Sequence, residues 1–424
     1  MILPSMRTNV KVLVVLCAAL AAGTAMAQTW EVFDMNSAGL PSNTVRALAV
    51  APNDDVWVGT EFGLCLLDGS NWQVFQTGSS GLPDNDVRSL AVDDTGAVWI
   101  GTLGGLACYD QGAWEVYTTG NSTLPEDYIR SLEIAPQGGV WVGTVGGLSW
   151  FDGDTTWHHY NDTPGSYAGL QLPGNNIAAL CARSDGALCI GTVNAGFTYL
   201  TDSTVTVYTT FSNGLPDNTA LGVALDGQGS RWLACPAGAL LNHAGDLVGG
   251  AWVQFSTVNS LLPSNSLTCI EVDGWDRKLI GNQISGFTIF QGFSSFTTYT
   301  MQNSDLPGDE VLSLALDGAG NVWIGTSSGG AARFGYAVGL EEQKANDGMV
   351  VFPNPVTDDL RFVHPAADGG RYRLLDLSGR VLSMGPSSSG TTVVDLRDVA
   401  TGTYVLEAFD AGAQRLACRR IQRL

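Results

Sequence analysis

Residues 82–106 read LPDNDVRSLAVDDTGAVWIGTLGGL, and variants of this sentence recur seven times between Trp30 and Phe334. The Leu-Pro pairs end at Pro41, Pro83, Pro125, Pro173, Pro216, Pro263 and Pro307. In every copy a second landmark follows 16 residues later, at Trp57, Trp99, Trp141, Cys189, Trp232, Leu279 and Trp323. A constant spacing inside a period of 42 to 48 residues is the mark of a propeller, a solenoid or an array.

Each copy holds four short apolar segments rich in Val, Ile, Thr, Trp and Tyr, separated by Asp-Gly, Gly-Gly and Asn-Gly turns. Four strands in one repeat form a small antiparallel sheet with two apolar faces. Stacking such sheets around an axis covers both faces. The chain opens with a lone strand at Trp30–Phe33, and its last copy lacks an outer strand. Pairing these two ends closes a ring and removes exposed sheet edges. The expectation is an all-β chain, a seven-bladed β-propeller over 28–338, followed after a polar linker at 339–348 by a small C-terminal β-sandwich over 349–424.

Two glycine columns mark crowded or turning backbone: Gly59, Gly101, Gly143, Gly191, Gly281 and Gly325, then Gly63, Gly105, Gly147, Gly196, Gly238, Gly286 and Gly329. The landmark tryptophans read as wedges between blades, so the seams at Cys189 and Leu279 are expected to be looser. Small residues in register (Ala47, Ser89, Ser131, Ala179, Gly222, Cys269 and Ser313) suit the inner strand, where blades converge on the axis.

Residues 1–27 read as a secretory signal peptide. Arg7 and Lys11 precede an apolar run from Val12 to Ala22, and Ala25-Met26-Ala27 supplies a small-x-small cleavage site. No later segment is long and apolar enough to suggest a transmembrane helix. From Gln28 to Leu340 there are 30 Asp plus Glu against 8 Lys plus Arg, a net charge of −22. Such a surface repels nucleic acid and anionic membranes. Seven cysteines remain after cleavage: Cys65, Cys108, Cys181, Cys189, Cys235, Cys269 and Cys418. They match no zinc spacing and read as buried free thiols, with a Cys181–Cys189 disulfide as the alternative.

The search for chemistry finds no catalytic constellation, no metal site and no cofactor motif. The four histidines are His158, His159, His243 and His364, and none is expected beside a Ser or Cys nucleophile. Asp317-Gly318-Ala319-Gly320-Asn321 faintly suggests a calcium loop but coincides with a repeat turn. The most suggestive column is Arg46, Arg88 and Arg130, at the start of the inner strand in three consecutive copies. Such an arc suits carboxylates or acidic sugars, or it ties blades together through neighbouring acids. The fourth copy carries an insertion within Asn161–Leu170, and its Tyr167 is a candidate for stacking on a sugar ring.

Two resemblances follow from these residues. L-P-x-N-x-V-R-x-L, D-x-x-G-x-x-W-I-G-T and G-L resemble the two-component regulator propeller repeat, whose members commonly form ligand-sensing regions of membrane-bound kinases; no kinase, membrane span or DNA-binding segment is seen here. In the tail, Val351-Phe352-Pro353-Asn354-Pro355, the run from Tyr372 through Asp376 and Gly379 to Arg380, Thr401-Gly402-Thr403-Tyr404 and a basic end resemble the type A sorting domain of the type IX secretion system. That resemblance implies the type IX machinery as a partner. It also implies a Gram-negative source and a secreted or outer-surface location. The resulting expectation is a non-catalytic propeller binding a glycan, a peptide or an envelope protein. A propeller enzyme (polysaccharide lyase or hydrolase) and a structural adhesion component are the alternatives.

Overall fold

The structure is a computed structural model, and it describes residues 28–164, 166–243, 251–291, 295–336, 350–352, 356–364, 370–376, 381–388, 390–397, 399–410 and 415–423. The signal-peptide reading at 1–27, the linker at 339–348, and Pro353, Asn354, Pro355 and Gly379 lie outside these residues.

Seven four-stranded antiparallel sheets account for residues 28–336. The second is typical: Val87–Val92, Val98–Thr102, Leu106–Asp110 and Ala113–Tyr117, running from the axis outward. The inner strands, from Val45–Val50 to Val311–Leu316, lie side by side in chain order, and the last touches the first. In the seventh sheet the outer strand is Gln28–Phe33, paired antiparallel with Ala331–Tyr336. Trp30 packs on Phe334 at 4.8 Å and on Tyr299 at 5.5 Å, and Arg333 meets Glu31 at 2.8 Å. The chain's beginning therefore completes its last blade, and the ring is closed.

The repeat's residues have identifiable tasks. Each landmark Trp wedges between its own outer strand and the next blade: Trp57 stacks on Phe75 at 5.8 Å and meets Tyr109 at 5.5 Å, and Trp232 does the same with Phe255 and Phe290. Where Cys189 stands instead, Tyr199 lies across from it with the Arg231 guanidinium 5.0 Å over its ring. Leu279 joins a cluster with Phe287, Phe334 and Trp30. Both seams expected to be looser are thus filled by other side chains. The Asn or Asp of L-P-x-N/D clamps every blade-to-blade loop by accepting a backbone N–H, eight residues back in six copies. Asn43, Asn85, Asp127, Asn218, Asn265 and Asp309 do so at 2.7–2.9 Å, and Asn175 makes the same bond across the insertion, to Asp162 N thirteen residues back at 2.9 Å.

The first glycine column sits where the next blade's inner strand arrives. A Cβ on Gly101 would lie 2.2 Å from Ser89 Oγ and 2.6 Å from Ile129 Cγ2. The second column takes positive φ under the outer strand's last carbonyl, as Gly105 does at 135°. In the seventh copy that role falls to Gly330 (φ 88°) and not to Gly329, because the turn there is one residue longer: Thr326 Oγ1 donates to Gly330 O, four residues on, where Thr102 reaches Gly105.

All six cysteines described by side chain are free thiols, and Cys181 and Cys189 face one another across a hairpin. Burial pushes the thiols of Cys65, Cys189 and Cys269 up to about 12, which leaves them poor nucleophiles at neutral pH.

The tail forms two antiparallel sheets. One holds Val350–Phe352, Asp359–Val363 and Thr392–Asp395; the other holds Val381–Pro386, Arg371–Leu375, Gly402–Phe409 and Arg415–Arg423. They enclose one core that includes Leu360, Phe362, Leu374, Leu406 and Ile421, which makes a small sandwich. Tyr404 is buried, and its hydroxyl donates to Ala400 O at 2.6 Å, a corner that pins the strand entry. Asp376 follows the strand Arg371–Leu375, and Gly402 opens the strand that carries Tyr404.

The glycine argument is testable. Gly101→Ala forces Ser89 and Ile129 apart and lowers unfolding stability by about 1–3 kcal/mol in denaturant titration. Gly78→Ala, with nothing within 4 Å of the added Cβ, leaves it unchanged. Equal effects at both positions contradict the crowding.

Candidate ligand-binding site

In six blades the inner strand carries a β-bulge one residue after its start. Val45 pairs with Thr60 and Ala47 with Gly59, so Arg46 has no ladder partner. The bulged residues are Arg46, Arg88, Arg130, Ala178, Thr268 and Leu312. A bulge re-aims its side chain, and here all six, joined by Leu221 and Tyr128, line one cavity of about 230 Å³ at the channel mouth. The structure brings the three arginines together as the sequence column suggested.

Each arginine is held by the residue that stands two places before the next blade's equivalent position. Asp86 meets Arg46 Nε at 3.0 Å and also takes Arg88 Nη2 at 2.7 Å. The Tyr128 ring lies 5.5 Å from the Arg88 guanidinium carbon. Asn176 Oδ1 accepts from Arg130 Nη1 at 2.6 Å. Glu61 adds a 3.3 Å contact to Arg46, and its other oxygen accepts from Ser42. Three guanidiniums thus share two carboxylates. Arg130 has an amide as its partner, and Arg88 Nε has no hydrogen-bond partner among the described residues. These groups are half-buried, so the pairs tie neighbouring blades only weakly while keeping the donors in place. Asp86, Tyr128 and Asn176 escaped the sequence search. The signal was available, because all three fall in the variable position two before the arginine column.

Tyr167 is elsewhere. The insertion folds into a short 3-10 turn, Tyr167–Gly169, on the same face as the mouth but over the outer strand. Tyr167 stacks on His158 at 3.8 Å and meets Tyr160 edge-on at 5.5 Å, and it does not line the mouth cavity.

One expectation about the histidines needs correction. His159 Nδ1 lies 2.8 Å from Ser149 Oγ, so a serine does stand beside a histidine. Ser149 is fully buried in the blade, and the other ring nitrogen of His159 is bonded to Thr123 Oγ1 at 3.0 Å. Burial and the neighbouring His158 lower the pKa of His159. No substrate reaches this pair. His243 is exposed just after the strand Gly238–Asn242, and His364 is buried in the sandwich. The Asp317 carboxylate accepts from Ala319 N, Asn321 N, Asn321 Nδ2 and Trp323 Nε1, so the calcium-like run is a self-satisfied turn.

Below the mouth the channel is lined by the small-residue column Ala47, Ser89, Ser131, Ala179, Gly222, Cys269 and Ser313, and by Glu271. The Glu271 carboxylate projects into the channel, where burial among the inner strands, with repulsion from Glu133, raises its pKa to about 8. Burial raises Glu133 to about 7, against the opposing effect of the Ala182 N–H it accepts at 2.9 Å. The channel is therefore cationic at its mouth and acidic further in.

The closed ring of seven four-stranded sheets defines the class of this chain as a β-propeller. Three stretches, 39–62, 81–104 and 305–328, match the model of the two component regulator propeller. No curated protein matches this chain. Among solved structures the chain is similar to PorZ of Porphyromonas gingivalis, described as an essential bacterial surface component of its type-IX secretion system (19% identity, 91% of this chain and 60% of that one, TM-score 0.58). It is also similar to an extracellular domain from B. thetaiotaomicron assigned to the hybrid two component system BT3049 (18%, 93% and 57%, TM-score 0.61). A third is virginiamycin B lyase from Staphylococcus aureus (12%, 72% and 99%, TM-score 0.57). At these identities the likeness speaks to the fold. The chain spans about three-fifths of the first two. Among the described residues no helix is long and apolar enough to cross a membrane.

The two channel carboxyls set a pH dependence. In the unfolded chain each ionises near 4.5, and in the ring only near 7 or 8. The folded state therefore binds more protons between these values, and stability falls as pH rises through that window. Glu133→Gln/Glu271→Gln removes the cost. Its melting temperature matches the parent at about pH 4 and exceeds it at about pH 8.5. A gap of the same size at both pH values contradicts this reading.

Proposed function

We propose that the chain is an exported, non-catalytic propeller that captures an anionic ligand at the channel mouth. The observation that carries this reading is the charge imbalance there. Three guanidiniums converge on one cavity against two carboxylates, in a ring whose net charge is −22. Arg130, opposed by the Asn176 amide alone among the described contacts, supplies the donors, and Tyr128 supplies a flat wall. A carboxylate on an acidic sugar, a peptide or an envelope protein fits a fork of this kind.

The domain reading belongs to the same proposal: propeller over 28–338, linker over 339–348 and a type A sorting domain over 349–424 that takes the chain through the type IX machinery. The chain is then secreted or displayed on the outer surface of a Gram-negative bacterium. The tail's two-sheet core and its Tyr404 corner support an independent sandwich. The likenesses to PorZ and to an extracellular sensing domain accord with that setting. Catalysis is the second reading, favoured by the likeness to the lyases. It requires turnover that depends on Tyr128 or on the Asp86 and Glu61 carboxylates at the mouth.

Titration of the full chain against uronic-acid oligosaccharides and peptides with free carboxyl termini tests the proposal. Binding is salt-sensitive and falls by about tenfold in Arg130→Gln, the loss of one charge-assisted contact. Equal affinity in the parent and in a triple Arg46/Arg88/Arg130→Gln variant, or no binding to any anionic probe, overturns it.

A further inference from the structure

The mouth-side face carries a second, separate feature. Of the twelve large apolar side chains exposed among the described residues of 28–336, nine sit on loops of this one face, two on outer strands and one, Trp275, on the opposite end. Exposed hydrophobes scattered singly need no explanation, but a set gathered on one face does. The most exposed are concentrated on blades five to seven: Phe211 at 96%, Val258 at 91%, Leu261 and Ile284 at 73% and Met301 at 58%. The repeat does not require them. Gly78 and Gly120 occupy the position of Val258 in blades two and three, and Thr123 occupies that of Leu261. The local backbone bonds are the same in both halves of the ring: Thr257 N donates to Asn265 as Thr77 N donates to Asn85. These apolar residues therefore contribute nothing to the loops that hold them.

Their electrostatic setting identifies the partner. The loops at 209–221, 256–266, 283–286 and 300–310 contain no Lys or Arg, but they carry Asp217, Asp305, Asp309 and Glu310. The arginines of the mouth belong to blades one to three, on the far side of the channel. Phe and Met are enriched where proteins meet, and these loops carry both but no Trp or Tyr that would offer a flat polar-tipped ring. We propose that the Phe211–Met301 arc is a docking surface for a protein partner whose complementary face joins Lys or Arg to apolar side chains. This surface is independent of the anionic site at the mouth.

The test is selection of a random peptide library displayed on phage against the full chain, with the arc then altered. Enriched peptides combine Lys or Arg with Leu, Phe or Met. Their affinity falls by about tenfold in Val258→Ser/Leu261→Thr and, separately, in Ile284→Thr. It weakens with salt and is unchanged in Arg130→Gln. The substituted positions are exposed, so melting temperatures stay at the parent value. Enrichment of acidic or purely polar peptides, binding indifferent to the arc variants, or no enrichment overturns the proposal. So does a dimer of the parent chain that the double variant dissolves, because the surface then serves a second copy.

Discussion

Every feature of this molecule depends on the pairing of Gln28–Phe33 with Ala331–Tyr336. A blade buries its apolar faces only against neighbours, so a row of seven leaves two faces uncovered and a ring leaves none. The closing strand is held by more than its ladder. Phe33 stacks on Trp323 at 5.2 Å within its blade and meets Trp72 of the first blade at 5.5 Å. Thr44 Oγ1 donates to Ser327 O, Gly330 N to Asn43 O, and Gly318 N to Asp54 Oδ1, which ties the last blade to the first at both ends of the barrel-like ring. Closure also makes the channel mouth, because only a complete ring brings Arg46, Arg88 and Arg130 to one cavity with Leu312 of the last blade.

Much of this was legible in the amino-acid order. The spacing from Leu-Pro to Trp reports a strand, a tight turn and a second strand of fixed length, and the lone Trp30–Phe33 segment reports the closure. The first glycine column was legible as crowding, though not what does the crowding. That requires knowing that Ile129 of the next blade arrives over Gly101. The assignment of Gly329 failed on a turn one residue longer, a difference that a Gly-Gly pair conceals. The compensation at Cys189 was out of reach because Arg231 comes from another repeat.

The site divides in the same way. The arginine column could be read, since a bulge at a fixed place in each repeat aims equivalent residues at the mouth. Its partners come from the following repeat, so Asp86, Tyr128 and Asn176 stand out only when position two before the column is compared across copies. Tyr167 illustrates the limit of such reasoning. An insertion can be located on a face from its place in the repeat, but whether its aromatic reaches the axis or folds back onto His158 depends on contacts that no spacing encodes. The apolar arc was missed because its members are substitutions in variable loop positions, visible as a surface only once the ring is assembled.

The most direct measurement replaces the registered pair Glu31 and Arg333 with cysteines and follows their oxidation by peptide mapping. Directly opposed residues of an antiparallel ladder lie within the span of a disulfide. The closed ring predicts spontaneous formation of this one cross-link and a higher melting temperature for the oxidised chain than for the reduced. Thiols that stay separate, or an oxidised form no more stable than the reduced, would show that the two ends do not meet.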